Sequence, residues 1–373
     1  MTRLAPMQMP FAHLHVASAF SMKYSAASID DLVAAAATHE HSHLALTDRD
    51  SVAGAVRFVR ACEAAGITPV LGVDFAVQTV TLAPPEDPNS APTPVKGGRV
   101  RHWVRPRVLI LGSGTRGWAG LCRLVSKAHA NGASASSSSS PSPPFITLED
   151  VAHCIGAGSL VVLHGPASEI GHHIARRRPD LAADAYRLWA QALPTGQQGI
   201  EVISHDQPVQ RSVQLGEPDL SLPVAQRMLS FAREQSLPAV VAHGVRFVRS
   251  GGHAVVDVLE SVQALAPLTS PYVRRCPSTA GYASTAQMVA MATRICEGVD
   301  GDTRRLLRDT TNLALLCATS SAHMQLGTPH VPEILGAGDD AQRTLQQRCE
   351  SALRAYLADY RPQTFGHGID YRK

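Results

Sequence analysis

The chain has 373 residues, of which 45% are hydrophobic and 17% are charged, and its formal net charge is +3. This composition is ordinary for a soluble globular protein, and the small net charge gives no sign of the concentrated basic charge of strong DNA-binding proteins. The sequence has no signal peptide and no apolar run near ~20 residues, so we expect a cytoplasmic protein without membrane contact.

From residue 11 to about residue 265, short apolar runs alternate with amphipathic stretches. This alternation predicts a parallel sheet with helices between its strands, and it leaves a closed barrel and an open doubly wound sheet equally open. The predicted strands are 11–16, 43–47, 69–73, 108–112, 160–164, 199–203 and 239–242. The predicted helices are 28–38, 52–65, 118–130, 180–192, 223–235 and 253–263.

Two segments interrupt the alternation. Residues 83–106 are rich in proline and glycine, and residues 131–144 contain a serine tract. Neither segment can bury enough apolar surface to offset its ordering entropy, so both are predicted to be disordered insertions. Beyond an irregular stretch at 267–281, helices are predicted at 284–297, 303–319 and 339–359.

Polar side chains that can bind metals end three short apolar runs near the N-terminus. They occur in His13-Leu-His15, in Thr47-Asp48-Arg49 and at Asp74. In this order and spacing, the three pieces resemble the PHP (polymerase and histidinol phosphatase) domain that opens the DnaE-type alpha subunit of bacterial DNA polymerase III. Segments at 117–129 and 326–332 follow in family order, so the resemblance covers most of the chain and is closest to the error-prone, DnaE-like branch.

The resemblance implies an α/β fold, a distorted PHP-type (β/α)7 barrel followed by a helical extension. We therefore expect a barrel domain over 8–265 and a helical segment over 282–360 that leads toward the polymerase palm. The palm's acidic motif is absent from the sequence, so we expect a truncated or stand-alone chain that cannot polymerise DNA alone. The implied partners are DNA primer-template and other polymerase subunits, while the oligomeric state is not indicated. The alternative is a metal-dependent phosphoesterase or 3′–5′ exonuclease of the PHP family.

A PHP-type site is implied to bind up to three Zn, Mn or Mg ions through His, Asp and Glu side chains at strand ends. Arginine replaces several of these ligands, and a guanidinium cannot ligate a metal but can pair with nearby carboxylates. We therefore expect a degenerate site with no assigned catalytic residue. The remaining candidate metal ligands are His13, His15, Asp48, Asp74 and His164. The replaced ligand positions are Tyr24, Arg49, Arg107 and Arg246.

Two geometric expectations follow from the strand predictions. His13 and His15 flank one residue on a strand, so their side chains should face the same side. His13, Asp48, Asp74 and His164 each end a predicted strand, so the four should cluster at one mouth of the barrel.

Overall fold

Six strands form one sheet whose spatial order follows their order in the chain. The computed structural model describes residues 11–82, 104–135, 142–155, 159–194, 196–209, 218–270, 273–299, 301–329 and 341–359. The strands are β1 (His43–Arg49), β2 (Thr68–Ala76), β3 (Arg107–Gly112), β4 (Leu160–His164), β5 (Gln198–Val202) and β6 (Ala239–Val241). Six of the seven predicted strands are therefore confirmed.

The segment 11–17 closes the sheet. His13 forms a parallel bridge with Leu44 of β1, and Val16 forms a parallel bridge with Val245, which follows β6. The seventh predicted strand, 11–16, is therefore present as two isolated bridges and not as a continuous strand. Because this segment joins both edges of the sheet, the predicted fold class, a distorted PHP-type (β/α)7 barrel with helices, is confirmed.

One strand has the opposite direction to its neighbours. β3 is antiparallel to both β2 and β4, whereas the other neighbouring pairs are parallel. The prediction of a wholly parallel sheet is wrong at this strand. The apolar run of a buried strand reads the same in both directions, and residues 83–103, which connect β2 to β3, lie outside the described residues.

The helices confirm the predicted alternation, and two short ones, α4 and α5, lie outside the predicted helix ranges. Ser28 caps the first helix as its position suggests, since its side chain accepts a hydrogen bond from the Asp31 backbone N–H. The helices are α1 (Ile29–Thr38), α2 (Ala55–Ala64), α3 (Gly114–Ser134), α4 (Leu148–Cys154), α5 (Glu169–Ala175), α6 (Pro179–Ala192), α7 (Leu222–Glu234), α8 (Gly252–Ala264), α9 (Thr285–Glu297), α10 (Thr303–Leu316) and α11 (Ala341–Asp359).

The two predicted insertions are only partly described. The end of α3 includes residues 131–134, so the prediction of a disordered insertion is wrong there. Residues 136–141 and 83–103 lie outside the described part of the chain, and that part of the prediction stays untested.

Successive strand residues alternate between an inner and an outer core, as the pleat requires. The inner core lies inside the barrel and includes Ala45, Val70, Leu109, Leu163 and Val240. Ala314 and Cys317, at the end of α10, join this cluster. The backbone N–H of Thr319 donates to the carbonyl of Pro69 at 2.9 Å. The end of α10 therefore covers the barrel where β2 begins, and the opposite end is left for a site.

The chain divides into two compact units, Met1–Leu326 and Gly327–Lys373. The first unit contains α9 and α10, so its boundary does not coincide with the division predicted between 265 and 282. In the second unit, α11 exposes Leu345, Leu353 and Tyr356. Among the described residues, no helix combines the length and apolar character needed to cross a bilayer.

Candidate functional site

A cavity of about 220 Å³ lies at the end of the barrel where β1 and β2 finish. Its wall contains one candidate metal ligand from β2, Asp74, and one from the closing segment, His15. The wall also contains all four residues that the sequence analysis predicts to replace metal ligands, Tyr24, Arg49, Arg107 and Arg246. The replacements predicted from the sequence are thus brought together by the fold.

The pleat of each strand decides which side chains reach this cavity. Arg49, Asp74 and Arg107 have the same parity as Ala45, Val70 and Leu109, the inner-core residues of their strands. The inner core and the cavity wall therefore form one continuous face of the sheet. Apolar residues fill its lower part and charged residues form its upper part.

Two arginines occupy both carboxylate oxygens of Asp74. Arg49 Nε donates to Oδ2 at 3.1 Å, and Arg107 Nε donates to Oδ1 at 3.0 Å. Arg107 also donates from Nη2 to Asp50 Oδ2 at 3.0 Å. Burial alone would raise the pKa of Asp74, but Arg107 and Arg49 outweigh it and hold this pKa below its usual range. Asp74 is therefore an ionised partner of two guanidinium groups.

The ring of Tyr24 contacts the guanidinium groups of two arginines. The guanidinium carbon of Arg49 is 3.3 Å from the ring centroid, and that of Arg246 is 4.0 Å away. Arg246 is fixed by Glu260, whose Oε1 accepts from Nη2 at 2.7 Å, and by the Tyr24 carbonyl, which accepts from Nε at 3.0 Å. Attraction between a guanidinium and an aromatic face is favourable, so the Tyr24 ring helps to hold both arginines in place.

His15 reaches the cavity and pairs with a carboxylate that the sequence analysis did not single out. Its Nδ1 lies 2.8 Å from Glu201 Oε1. Burial opposes the charged imidazole, yet the adjacent Glu201 carboxylate outweighs burial and raises the pKa of His15 to about 9. The signal for Glu201 was a single carboxylate inside the apolar run of β5, where an unpaired charge would be costly.

A one-residue bulge separates the roles of His13 and His15. The carbonyl oxygens of His13 and Val16 accept hydrogen bonds from Ala45 and Thr47, at 2.9 and 2.8 Å. Three residue steps on the closing segment thus match two steps on β1, so one residue is extra. A bulge of this kind reverses the facing of the side chains that follow it, and the expectation that both histidines face the same side is wrong.

His13 therefore makes contacts away from the cavity. Its Nε2 is 2.8 Å from the carbonyl oxygen of Ala283, and its ring packs against that of Tyr282 at 4.6 Å between centroids. Burial holds the pKa of His13 well below its ordinary value. His13 is thus a neutral, buried side chain in this structure.

Asp48 and His164 also lie outside the cavity wall, because they have outer-core parity on β1 and β4. Asp48 accepts hydrogen bonds from the hydroxyls of Ser18 and Ser21, at 2.8 and 2.6 Å, and no arginine in the described part of the chain pairs with it. His164 Nε2 lies 3.1 Å from Gln198 Oε1. Of the four residues expected to cluster at one mouth, only Asp74 lines this cavity, although Asp48 precedes Arg49 at the same end of β1.

The described residues contain no group of three or more His, Cys, Asp or Glu side chains arranged to hold a metal ion. Within the cavity, both oxygens of Asp74 accept from arginine, and His15 Nδ1 contacts Glu201. The carboxylates of the wall thus have protein cations as their partners.

Comparison with known proteins identifies the family. The family model of the PHP domain matches residues 13–205, which is more than half of the chain. The chain belongs to the PHP domain family. The matched region runs from the closing segment through β5, so it contains the elements that carry His15, Arg49, Asp74, Arg107 and Glu201.

Curated relatives of the chain include bacterial DNA polymerases. The error-prone DNA polymerase of Symbiobacterium thermophilum is 29% identical over 277 residues, covering 72% of this chain and 22% of the relative. The DNA polymerase III subunit alpha of Escherichia coli K12 is 23% identical over 348 residues, covering 93% of this chain and 26% of the relative. The chain thus spans about a quarter of the length of these curated relatives.

Among solved structures, an amidohydrolase from Chromobacterium violaceum is similar at a TM-score of 0.37 and 19% identity. The match covers 63% of this chain and 87% of the amidohydrolase chain.

Proposed function

We propose that the chain is the N-terminal PHP module of a DnaE-like DNA polymerase III alpha subunit, with a degenerate metal site. In this role it supports a polymerase body and its partners, DNA primer-template and other polymerase subunits, in replication or translesion repair. Similarity to an error-prone polymerase and to an alpha subunit supports this proposal. These 373 residues span only 22% and 26% of those relatives, and we propose that they do not polymerise DNA by themselves.

The pairing of Asp74 with two arginines carries the proposal of a degenerate site. A divalent metal needs free carboxylate or imidazole ligands, and it is repelled by guanidinium groups. Arg49 and Arg107 pair with the carboxylate that would have to bind the metal, and Arg246 lies in the same cavity wall. The residues present therefore do not fit a catalytic metal cluster.

Metal content tests the degenerate site. After dialysis against a chelator and then against zinc and manganese, the protein is expected to retain both metals only in substoichiometric amounts. The physical reason is that Asp74 is already neutralised by Arg49 and Arg107. Elemental analysis of the dialysed protein is the measurement. Two or more tightly held ions per chain would contradict the proposal.

Primer extension tests the second part of the proposal. The purified chain is expected to add no nucleotide to a primer-template in the presence of Mg²⁺, since no palm-type acidic motif occurs in the sequence. An assay with an added active polymerase serves as the control for inhibitors. Extension above background, by protein shown to be free of contaminating polymerase, would refute the claim.

A phosphoesterase or 3′–5′ exonuclease is the second candidate, because groups able to exchange protons still face the cavity. His15, Asp74 and Glu201 line its wall, and such groups can act as acids or bases toward a phosphoester. Hydrolysis of a chromogenic phosphoester or of single-stranded DNA 3′ ends, lost in the Glu201→Gln variant, would favour this candidate over the first.

A further inference from the structure

The outer face of α8 is apolar. Val255, Val258 and Val262 are 54%, 48% and 52% exposed, and Leu265, directly after the helix, is 56% exposed. We call these four residues the α8 stripe. A surface helix usually turns its apolar residues toward the core and its polar residues toward solvent. α8 has the opposite arrangement, so the α8 stripe is an apolar face open to solvent in the described part of the chain.

The charged residues of α8 lie away from this face. The helix contains two carboxylates and no lysine or arginine. Asp257 Oδ2 accepts from Arg275 Nη1 at 3.0 Å, and Glu260 Oε1 accepts from Arg246 Nη2 at 2.7 Å. Both carboxylates have cationic partners within the chain, and the α8 stripe carries no charge. Two such stripes can meet without repulsion between like charges, whereas a charged partner surface would lose hydration without gaining an ion pair.

The spacing of the α8 stripe is that of a two-helix interface. Its residues are three, four and three positions apart, which matches the a and d positions of a heptad. Valine takes both a positions and leucine takes one of the two d positions, a composition that favours pairs of helices. An identical stripe has the same spacing, and a two-fold axis brings the same surface of two copies together. A second copy of this chain therefore fits the α8 stripe.

The backbone at Leu265 gives independent support. Leu265 has φ 49° and ψ 41°, in the left-handed region. Glycine is favoured at such a helix end, because a side chain is strained there. A strained backbone that presents a leucine to solvent does not stabilise the single chain. The leucine gains a role when it packs against another molecule.

We propose that the α8 stripes of two copies of this chain pack together about a two-fold axis and form a reversible homodimer. Four half-exposed valine and leucine side chains offer an apolar surface on the order of 200 Å² per copy. A standard interface buries about 800 Å² per partner, and weak, transient contacts bury less. The dimer is therefore expected to depend on protein concentration. It goes beyond the proposed function and does not depend on the state of the metal site.

Sedimentation velocity of the full chain tests the proposal. As the concentration rises from the low to the high micromolar range, the mass should increase from that of a monomer toward that of a dimer. In the double variant Val258→Glu, Val262→Glu, pairing would bury unpaired charges, so the dissociation constant should rise by roughly a hundredfold. An unchanged chain that is monomeric at all of these concentrations would overturn the proposal and leave the α8 stripe to a different protein.

Leu353→Glu is the matched control. Leu353 lies on α11 and is 57% exposed, so the variant adds the same charge to another exposed apolar residue. Its association should equal that of the unchanged protein. Loss of association in Leu353→Glu, with association retained in the double variant, would assign the contact to α11 and overturn the proposal.

Leu265→Gly separates association from folding. Glycine relieves the left-handed strain, so the thermal unfolding midpoint, measured where both proteins are monomeric, should not decrease. The dimer should weaken by roughly tenfold, because an apolar side chain is removed from each copy. Dimerisation as strong as in the unchanged protein would contradict a contact at Leu265.

A charge-swap experiment identifies the partner surface as a second α8 stripe. The double variant Val258→Lys, Val262→Lys should be monomeric alone, like the glutamate variant. A mixture of the two variants at low ionic strength should form a heterodimer, because each stripe then meets one of opposite charge. A mixture that stays monomeric would overturn the proposed pairing of like surfaces.

Discussion

Replacement of Arg107 by alanine is expected to lower the free energy of unfolding by about 3–5 kcal/mol. Arg107 has a side-chain exposure of 11% and bridges Asp74 and Asp50, at 3.0 Å to each. Its removal leaves two carboxylates at the barrel end without their main cation, and the desolvation cost of those charges is no longer offset. Chemical denaturation, followed by circular dichroism, measures the change.

Arg57→Ala is the control for this variant. Arg57 and Asp30 have side-chain exposures of 61% and 64%, so loss of their pair should change stability by no more than about 1 kcal/mol. A double-mutant cycle with Asp74→Asn adds a second check, because the double variant should lose less than the sum of the single variants. An Arg107→Ala variant as stable as Arg57→Ala would contradict the assignment of a buried network.

Stability is expected to fall steeply as the pH drops from about 6.5 toward 4. His41 and His205 are 4% and 6% exposed, and burial lowers the pKa of His41 to about 4 and that of His205 to about 3. The unfolded chain takes up protons near pH 6.5, whereas the folded chain does not. Each histidine therefore contributes stability that is complete above about pH 6.5 and is lost at about 1.4 kcal/mol per pH unit below it.

Denaturation midpoints measured between about pH 7.5 and pH 5 test this expectation. In His205→Gln, the slope of unfolding free energy against pH should decrease by about 1.4 kcal/mol per pH unit. His323→Gln, at an exposed position, should leave the slope unchanged. The depressed pKa of Asp74 acts in a separate window, below about pH 4, where its paired carboxylate becomes protonated. Equal slopes in all three proteins would show that the buried histidines do not control acid stability.

The strands and most helices could be predicted because their signals are local. Short apolar runs predict β1 to β6, and the amphipathic pattern over 28–38 predicts α1. The direction of β3 could not be predicted, because a buried strand has the same apolar character in either direction. The division between compact units, after Leu326, depends on packing between distant segments, which periodicity does not report.

The candidate site was predicted in part. The positions of Arg49, Arg107 and Arg246 follow from family order, and all three do line one cavity. The face of the sheet to which each side chain points could not be predicted, because it depends on strand parity and on hydrogen-bond register. His164 ends β4 but has outer-core parity, so it points away from the cavity. The bulge in the closing segment turns His13 away from His15. Such a bulge is visible only once two segments are paired.

The shared carboxylate of Asp74 makes the present site difficult to convert into a metal site one residue at a time. A single change of Arg49 or Arg107 to histidine removes one cation from Asp74, while the other arginine still repels an incoming metal. Each intermediate sequence would therefore bear the cost of a broken buried ion pair, about 3–5 kcal/mol for Arg107, without gaining a metal in return. A series of single substitutions would therefore pass through unstable proteins during evolution. Only several simultaneous substitutions would avoid these intermediates.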